Sequence, residues 1–114
     1  MHQLEDEAGI MTESEFATIS VDTIDRIEEA IDAAGIDADL DRKGDGLLEI
    51  DLPGGRIVVN TQAPMRQIWV AAKSGGFHFT GDTGAWLDTR SGEPLMALLS
   101  RVVSQQVGSQ VHLE

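Results

Sequence analysis

The sequence predicts an α+β domain: a two-layer α-β sandwich in which an antiparallel sheet of five to six strands carries an N-terminal and a C-terminal helix on one face. Three observations predict it. Residues 14–34 place apolar side chains at a helical period, residues 37–88 switch to a period of two interrupted by glycine and proline turns, and residues 94–107 return to the helical period. Each helix has one apolar stripe to cover, and the sheet between them offers a face on which both can lie. The opposite sheet face is then left to solvent. With 114 residues, 41% of them hydrophobic, the chain has the size and apolar content of one domain with its own core.

Residues 1–10 are polar and acidic without a period and are expected to form a flexible acidic extension, leaving 11–114 as the folded domain. Ser14 is the expected N-cap of the first helix, with acids in its first turn. At 100° per residue, Phe16, Ile19, Thr23, Ile24, Ile27, Ala30, Ile31 and Ala34 share one side. Asp22, Asp25, Glu29 and Asp32 fall on the other, with Glu28 near its edge, and Gly35 ends the helix. In 37–41, Ala38 and Leu40 point one way while Asp37, Asp39 and Asp41 point the other. The turn Lys43-Gly44-Asp45-Gly46 leads to a strand in which Leu48, Ile50 and Leu52 alternate with Glu49 and Asp51. Pro53-Gly54-Gly55 turns the chain into 56–60, and Ala63-Pro64 turns it into 67–72. Short strands at 77–80 and 85–88 complete the meander. Pro94 opens the second helix at a position proline tolerates. Leu95, Leu98, Leu99, Val102 and Val103 make its stripe, Gly108 stops it, and Val111-His112-Leu113 is a short tail.

Charge narrows the function. The chain has 20 acids against 8 bases, a formal net charge of −12. Such a balance opposes phosphate backbones, so no nucleic acid is expected as a partner. No apolar run is long enough to span a membrane, and with no cysteine there is neither a disulfide framework nor a thiolate site. A cytoplasmic setting is expected. The charge is also polarised: residues 1–51 hold sixteen acids and three bases, residues 52–114 four acids and five bases. A field of that direction attracts cations or a basic partner.

Asp22, Asp25, Glu29 and Asp32 are spaced three or four residues apart, so neighbours lie roughly 5–6 Å apart at Cβ. Two carboxylates at ~6 Å repel by about 0.7 kcal/mol in water and ~3 kcal/mol at an effective dielectric of 20. Arg26 is the only base within the helix to offset this. The aspartates of the first strand are expected to continue the ridge. Hard oxygen ligands of this kind suit Mg²⁺, Ca²⁺, Mn²⁺ and iron ions, while a solubilising face is the plain alternative. A built cage is excluded: an EF-hand frame from Asp37 puts Arg42 at the turn glycine and Leu48 at the bidentate acid. Any metal binding should be open, hydrated and weak.

Trp69 is the second feature. Ile68, Val70 and Ala72 form the apolar set of their strand, so Gln67, Trp69 and Ala71 should face the open side. Asn60 points the same way, with Gln62 close behind. Leaving ~100 Å² of indole in water forgoes about 2.5 kcal/mol of burial. An indole ringed by amides has the character of an interface anchor, the alternative being a ring lying flat on a strand or under Arg66 as a cation–π pair. Trp86 is expected in the core. Catalytic motifs are absent: there is no G-x-S-x-G, H-E-x-x-H or P-loop. The chain does not read as an enzyme.

These residues resemble the frataxin family in its bacterial CyaY-type branch. The resemblance lies in Met11-Thr12-Glu13-Ser14-Glu15-Phe16, in Ile27-Glu28-Glu29 with the aspartates through Asp41, and in Ile57-Val58-Val59-Asn60-Thr61-Gln62-Ala63-Pro64. Gln67-Ile68-Trp69-Val70-Ala71, Gly75-Gly76-Phe77-His78-Phe79, Asp88-Thr89-Arg90-Ser91-Gly92-Glu93 and Gln105-Gln106-Val107-Gly108 extend it over about residues 11–114. The connection between first helix and first strand departs from the pattern, being about one residue shorter and poorer in acids. The resemblance implies an iron-binding regulator of iron–sulfur cluster assembly that binds iron (Fe²⁺ or Fe³⁺) weakly and modulates a cysteine desulfurase within the scaffold complex. It is expected to be a monomer without iron. The implied iron ridge is Asp22, Asp25, Glu28, Glu29, Asp32, Asp37, Asp39 and Asp41; the implied partner contacts are Asn60, Gln62, Gln67 and Trp69. The alternatives are ferroxidase-like iron oxidation, and an acidic interaction module with no metal role.

Overall fold

The computed structural model describes residues 11–81 and 85–114. The acidic extension expected at 1–10 lies outside the described residues. Element order is α1 (Glu13–Ala34), β1 (Asp39–Lys43), β2 (Leu47–Leu52), β3 (Gly55–Gln62), a 3-10 turn (Ala63–Met65), β4 (Gln67–Ala72), β5 (Gly75–Thr80), β6 (Leu87–Asp88) and α2 (Leu95–Val107). This is the two-layer α-β sandwich the periodicities predict, with six strands.

The N-cap of helix α1 lies two residues before the expected one. Thr12, not Ser14, is the N-cap: its Oγ1 accepts the Glu15 N–H at 3.1 Å, and the Glu15 carboxylate accepts the Thr12 N–H at 2.8 Å. That reciprocal box satisfies two orphan donors at once, which a lone Ser14 cap could not do. Met11 before the cap and Phe16 after it are both buried, in the positions of a hydrophobic staple. At the other end Gly35 takes φ 68°, a left-handed conformation open to glycine, and its N–H closes onto the Asp32 carbonyl.

The six strands lie in chain order, β1-β2-β3-β4-β5-β6, every neighbouring pair antiparallel. Two-residue loops close β2 to β3 and β4 to β5, since Leu52 pairs with Gly55 and Ala72 with Gly75. Leu48, Ile50, Ile57, Val59, Ile68, Val70 and Phe79 point to one face and are fully buried. Phe16, Ile24, Ile27 and Ile31 of α1 and Leu95, Leu98, Leu99, Val102 and Val103 of α2 meet them there. Burying each such side chain contributes about 1.5–3 kcal/mol, so this shared layer holds both helices. Trp86 joins it as expected, edge-on to Phe16 at 6.0 Å, with its Nε1 donating to Thr23 Oγ1 at 2.9 Å.

The C-terminal segment is tied down more firmly than a short tail implies. Ser100 and Ser104, one turn apart on α2, accept the N–H groups of Leu113 and Val111, each at 2.8 Å. Val111 and Leu113 bury their side chains in the core while His112 between them is exposed. The segment therefore runs beside α2 like a strand whose partner is a pair of hydroxyls. At the far end of α2, a Cβ on Gly54 would sit 2.2 Å from the Gln106 carbonyl oxygen. A glycine there lets the β2–β3 turn pass beneath the helix terminus, where Gln106 Nε2 donates to the Gly55 carbonyl at 2.9 Å.

Candidate functional site: an acidic edge and an amide–indole face

The helical acids emerge from α1 on the side away from its buried stripe. Asp22, Asp25, Glu29 and Asp32 are exposed and Glu28 is half-buried. One base reaches them from the sheet. Arg42 lies on the core side of β1, opposite Leu48, and its Nη1 donates to Asp25 Oδ1 at 2.9 Å and to Glu28 Oε1. Its Nη2 donates to the Asp45 carbonyl at 3.0 Å. Burial works to lower the Arg42 pKa, but the hydrogen bonds and charges of Asp25 and Glu28 outweigh it and hold the guanidinium above its ordinary value. The helix thus has a second counter-ion that its own sequence does not reveal.

The strand acids lie on the other side of the same pleat. Asp39 pairs across the ladder with Asp51, and Asp41 with Glu49, facing the open side of the sheet. Lys43 Nζ lies 3.8 Å from Asp41 and 3.4 Å from Glu49, and Arg56 lies 3.6 Å from Glu49 and 2.7 Å from Asp51. The Arg56 hydrogen bond holds the Asp51 carboxyl below the usual carboxylate range, and the same bond raises Arg56. Asp37 is exposed in the short link before β1. The ridge is therefore not continuous. It divides into a helical group and a strand group on opposite sides of the β1 pleat, with Arg42 on the helical side. Among the described residues no three His, Asp or Glu side chains converge as a metal cage. What the exposed oxygens can do is attract hard cations that keep most of their water.

The four amide and indole residues are brought together. Asn60 pairs with Trp69, Trp69 with His78, Gln62 with Gln67, and Gln67 with Thr80, all on the open face. Trp69 Nε1 donates to Gln67 Oε1 at 2.7 Å, fixing the ring. The ring does not lie under Arg66, whose guanidinium donates to the Ala63 carbonyl. It stacks instead on His78, with centroids 4.2 Å apart and planes 7° from parallel. His78 is the member that sequence reasoning passed over. Its signal was present: Phe77 and Phe79 alternate around it, which turns it outward, and the two-residue β4–β5 loop sets it opposite Trp69.

Elsewhere, a groove of about 300 Å³ is lined by Gly54, Lys73, Ser74, Gln105 and Gln106. Its one charged group, Lys73, donates to the Gly54 carbonyl at 3.3 Å, and no acid, base or nucleophile pair converges there.

The family model for the frataxin-like domain matches residues 9–109. The chain belongs to the frataxin-like family. A relative from Cupriavidus pinatubonensis, "Iron-sulfur cluster assembly protein CyaY", is 45% identical over 108 residues, covering 90% of this chain and 96% of its own. Among solved structures, the frataxin from Psychromonas ingrahamii superposes with TM-score 0.82 at 32% identity, over 90% of this chain and 97% of that one. The trimeric frataxin of the yeast Saccharomyces cerevisiae, complexed with ferrous iron, superposes with TM-score 0.64 at 28% identity, over 82% of this chain and 87% of that one. The frataxin-like fold of this chain thus presents two surfaces that meet where β2 pairs with β3, one of carboxylates and one of amides and stacked rings. No helix among the described residues is long and apolar enough to cross a membrane.

Proposed function

We propose that this frataxin-like chain acts in iron–sulfur cluster assembly as a non-catalytic regulator. It carries iron loosely on its acidic edge and modulates a cysteine desulfurase in the scaffold complex, docking through the face of Asn60, Gln62, Gln67 and Trp69. The observation that carries this reading is the presence, on adjoining surfaces, of exposed carboxylates without a cage and an indole held ready by Gln67 and His78. Carboxylates that leave most of an ion's water in place bind weakly and exchange fast, which suits handing iron on and not storing it. The names of the CyaY relatives support the pathway, and the ferrous complex of the yeast relative supports the ion.

Iron oxidation is less well served, because a two-metal site needs ligands converging on ions about 3.5–4 Å apart. The acidic-module reading has one observation in its favour, the pairing of Asp41, Glu49 and Asp51 with Lys43 and Arg56, which occupies strand carboxylates that a cation would use. A desulfurase assay with scaffold protein, run with and without Fe²⁺, separates these. The expected result is a sulfide-production rate that changes when the chain is added and changes more with iron. An effect blind to iron would favour the module, Fe²⁺ loss above the buffer rate would favour oxidation, and no effect in either condition would overturn the proposal.

A further inference from the structure

We propose that Arg42 decides where cations load on the acidic edge, as an internal counter-ion that withholds Asp25 and Glu28 from them. This rests on the reading of the edge as a cation-binding surface. Asp25 and Glu28 stand one turn apart at the middle of the helical acids, with Asp22 before them and Glu29 and Asp32 after. By spacing alone they are as good a landing place as any pair on α1. In the fold, Arg42 Nη1 is already shared between their oxygens, while Nη2 is pinned to the Asp45 carbonyl in the β1–β2 turn. The Arg42 side chain is 20% exposed, against 52% for Asp25 and 31% for Glu28, so the cation sits beneath the carboxylates and is held there by β1.

A guanidinium never deprotonates in a protein, so this competitor is present at every working pH. An incoming ion that took both carboxylates would leave Arg42 without its anionic partners, its Nε already buried unpaired and the Asp45 carbonyl its remaining acceptor. Exposed Glu29 and Asp32 impose no such penalty. Hydrated divalent ions therefore gather first at Glu29 and Asp32, toward the C-terminal part of α1 and the Asp37 link.

The test measures Mn²⁺ binding to the full chain by electron paramagnetic resonance of the free hexaaqua ion. Two double variants remove equal charge, E29Q/D32N and D25N/E28Q. In the Arg42 background, E29Q/D32N is expected to weaken binding by about fivefold and D25N/E28Q by less than about twofold, the scale of exposed ion pairs. R42M should tighten binding more than R26Q, which removes the same charge from the exposed face of α1, and in R42M the two double variants should cost comparable amounts. Melting curves establish that each variant is folded. Should R42M fail to fold, R42K keeps the charge but cannot bridge three acceptors, and is expected to tighten binding above wild type. Equal losses for the two doubles in wild type, or equal gains for R42M and R26Q, would overturn the role of Arg42 while leaving the cation surface standing. No Mn²⁺ binding by any of these proteins would overturn both.

Discussion

Trp69 and His78 share a stack that water could otherwise enter from both sides, and the Gln67 oxygen keeps the indole from turning. Truncating a ring so presented removes an anchor, so if the chain docks as proposed Trp69→Ala should raise the off-rate from the desulfurase–scaffold complex about 30-fold, the ~2 kcal/mol of a truncated anchor, read by surface plasmon resonance. An unchanged off-rate in a folded variant would exclude this face as the dock. Asp88 poses a different question. Burial pushes its carboxyl up, but the Ser91 hydroxyl at 2.7 Å, the N–H groups of Arg90 and Ser91 and the Arg90 charge prevail and hold it below the usual range. A carboxyl lowered by folding stabilises above its unfolded value of about 4 and loses that contribution as pH falls through the folded value. Asp88→Asn should therefore cost about 1–3 kcal/mol at pH 7, with the gap to wild type narrowing as pH falls below about 4, read by urea unfolding across that range. At this scale the sequence shows Asn60, Gln62, Gln67 and Trp69 clearly, because alternation within one strand fixes a side chain's face. Arg42 it hides, because a contact between residues seventeen apart depends on how α1 settles over β1.

The elements themselves were largely legible. Alternation of Leu48, Ile50 and Leu52 with acids, and glycine or proline at every early turn, leaves little freedom in β1 to β4. What escaped was the start of α1, where one hydroxyl competes with another; Gly35 and Gly108 end the two helices as the sequence indicates. Thr12 and Ser14 both precede acids, but only Thr12 has Glu15 three residues on to complete the box. Thr12→Ala should cost about 1 kcal/mol and Ser14→Ala much less, a comparison that thermal unfolding settles. The C-terminal segment escaped because nothing in its composition says that α2 will offer it serines. Ser104→Ala leaves the Val111 N–H without its acceptor and should cost about 1–3 kcal/mol, with amide exchange at 111–113 accelerating more than in the sheet. Uniform exchange across the molecule would mean that the segment is not separately held.

Over the whole molecule the charge is the dominant asymmetry, at −12 net. Self-repulsion of that size is screened over ~8 Å at physiological ionic strength, so moderate salt should raise the melting temperature. Neutralising Glu29 and Asp32 together should raise it in low salt, whereas Asp25→Asn, which removes a partner of Arg42, should lower it. Opposite signs for carboxylates on one helix would separate repulsion from pairing; a gain in both cases would mean that the Asp25–Arg42 pair contributes less than the repulsion Asp25 brings. The strand order carries a consequence for how the protein comes into being. Since each strand pairs with the next, the sheet can zip hairpin by hairpin as the chain is synthesised, long before its cover is complete. The stripe of Leu98, Leu99, Val102 and Val103 that covers it follows β6 in the chain, so the buried face of Ile57, Val59, Ile68 and Val70 is half-roofed by α1 until α2 emerges. For that interval, a few seconds at translation rates of about 5–20 residues per second, the nascent sheet is a sticky surface, and a ribosome-stalled chain ending before α2 should be the species that chaperones hold.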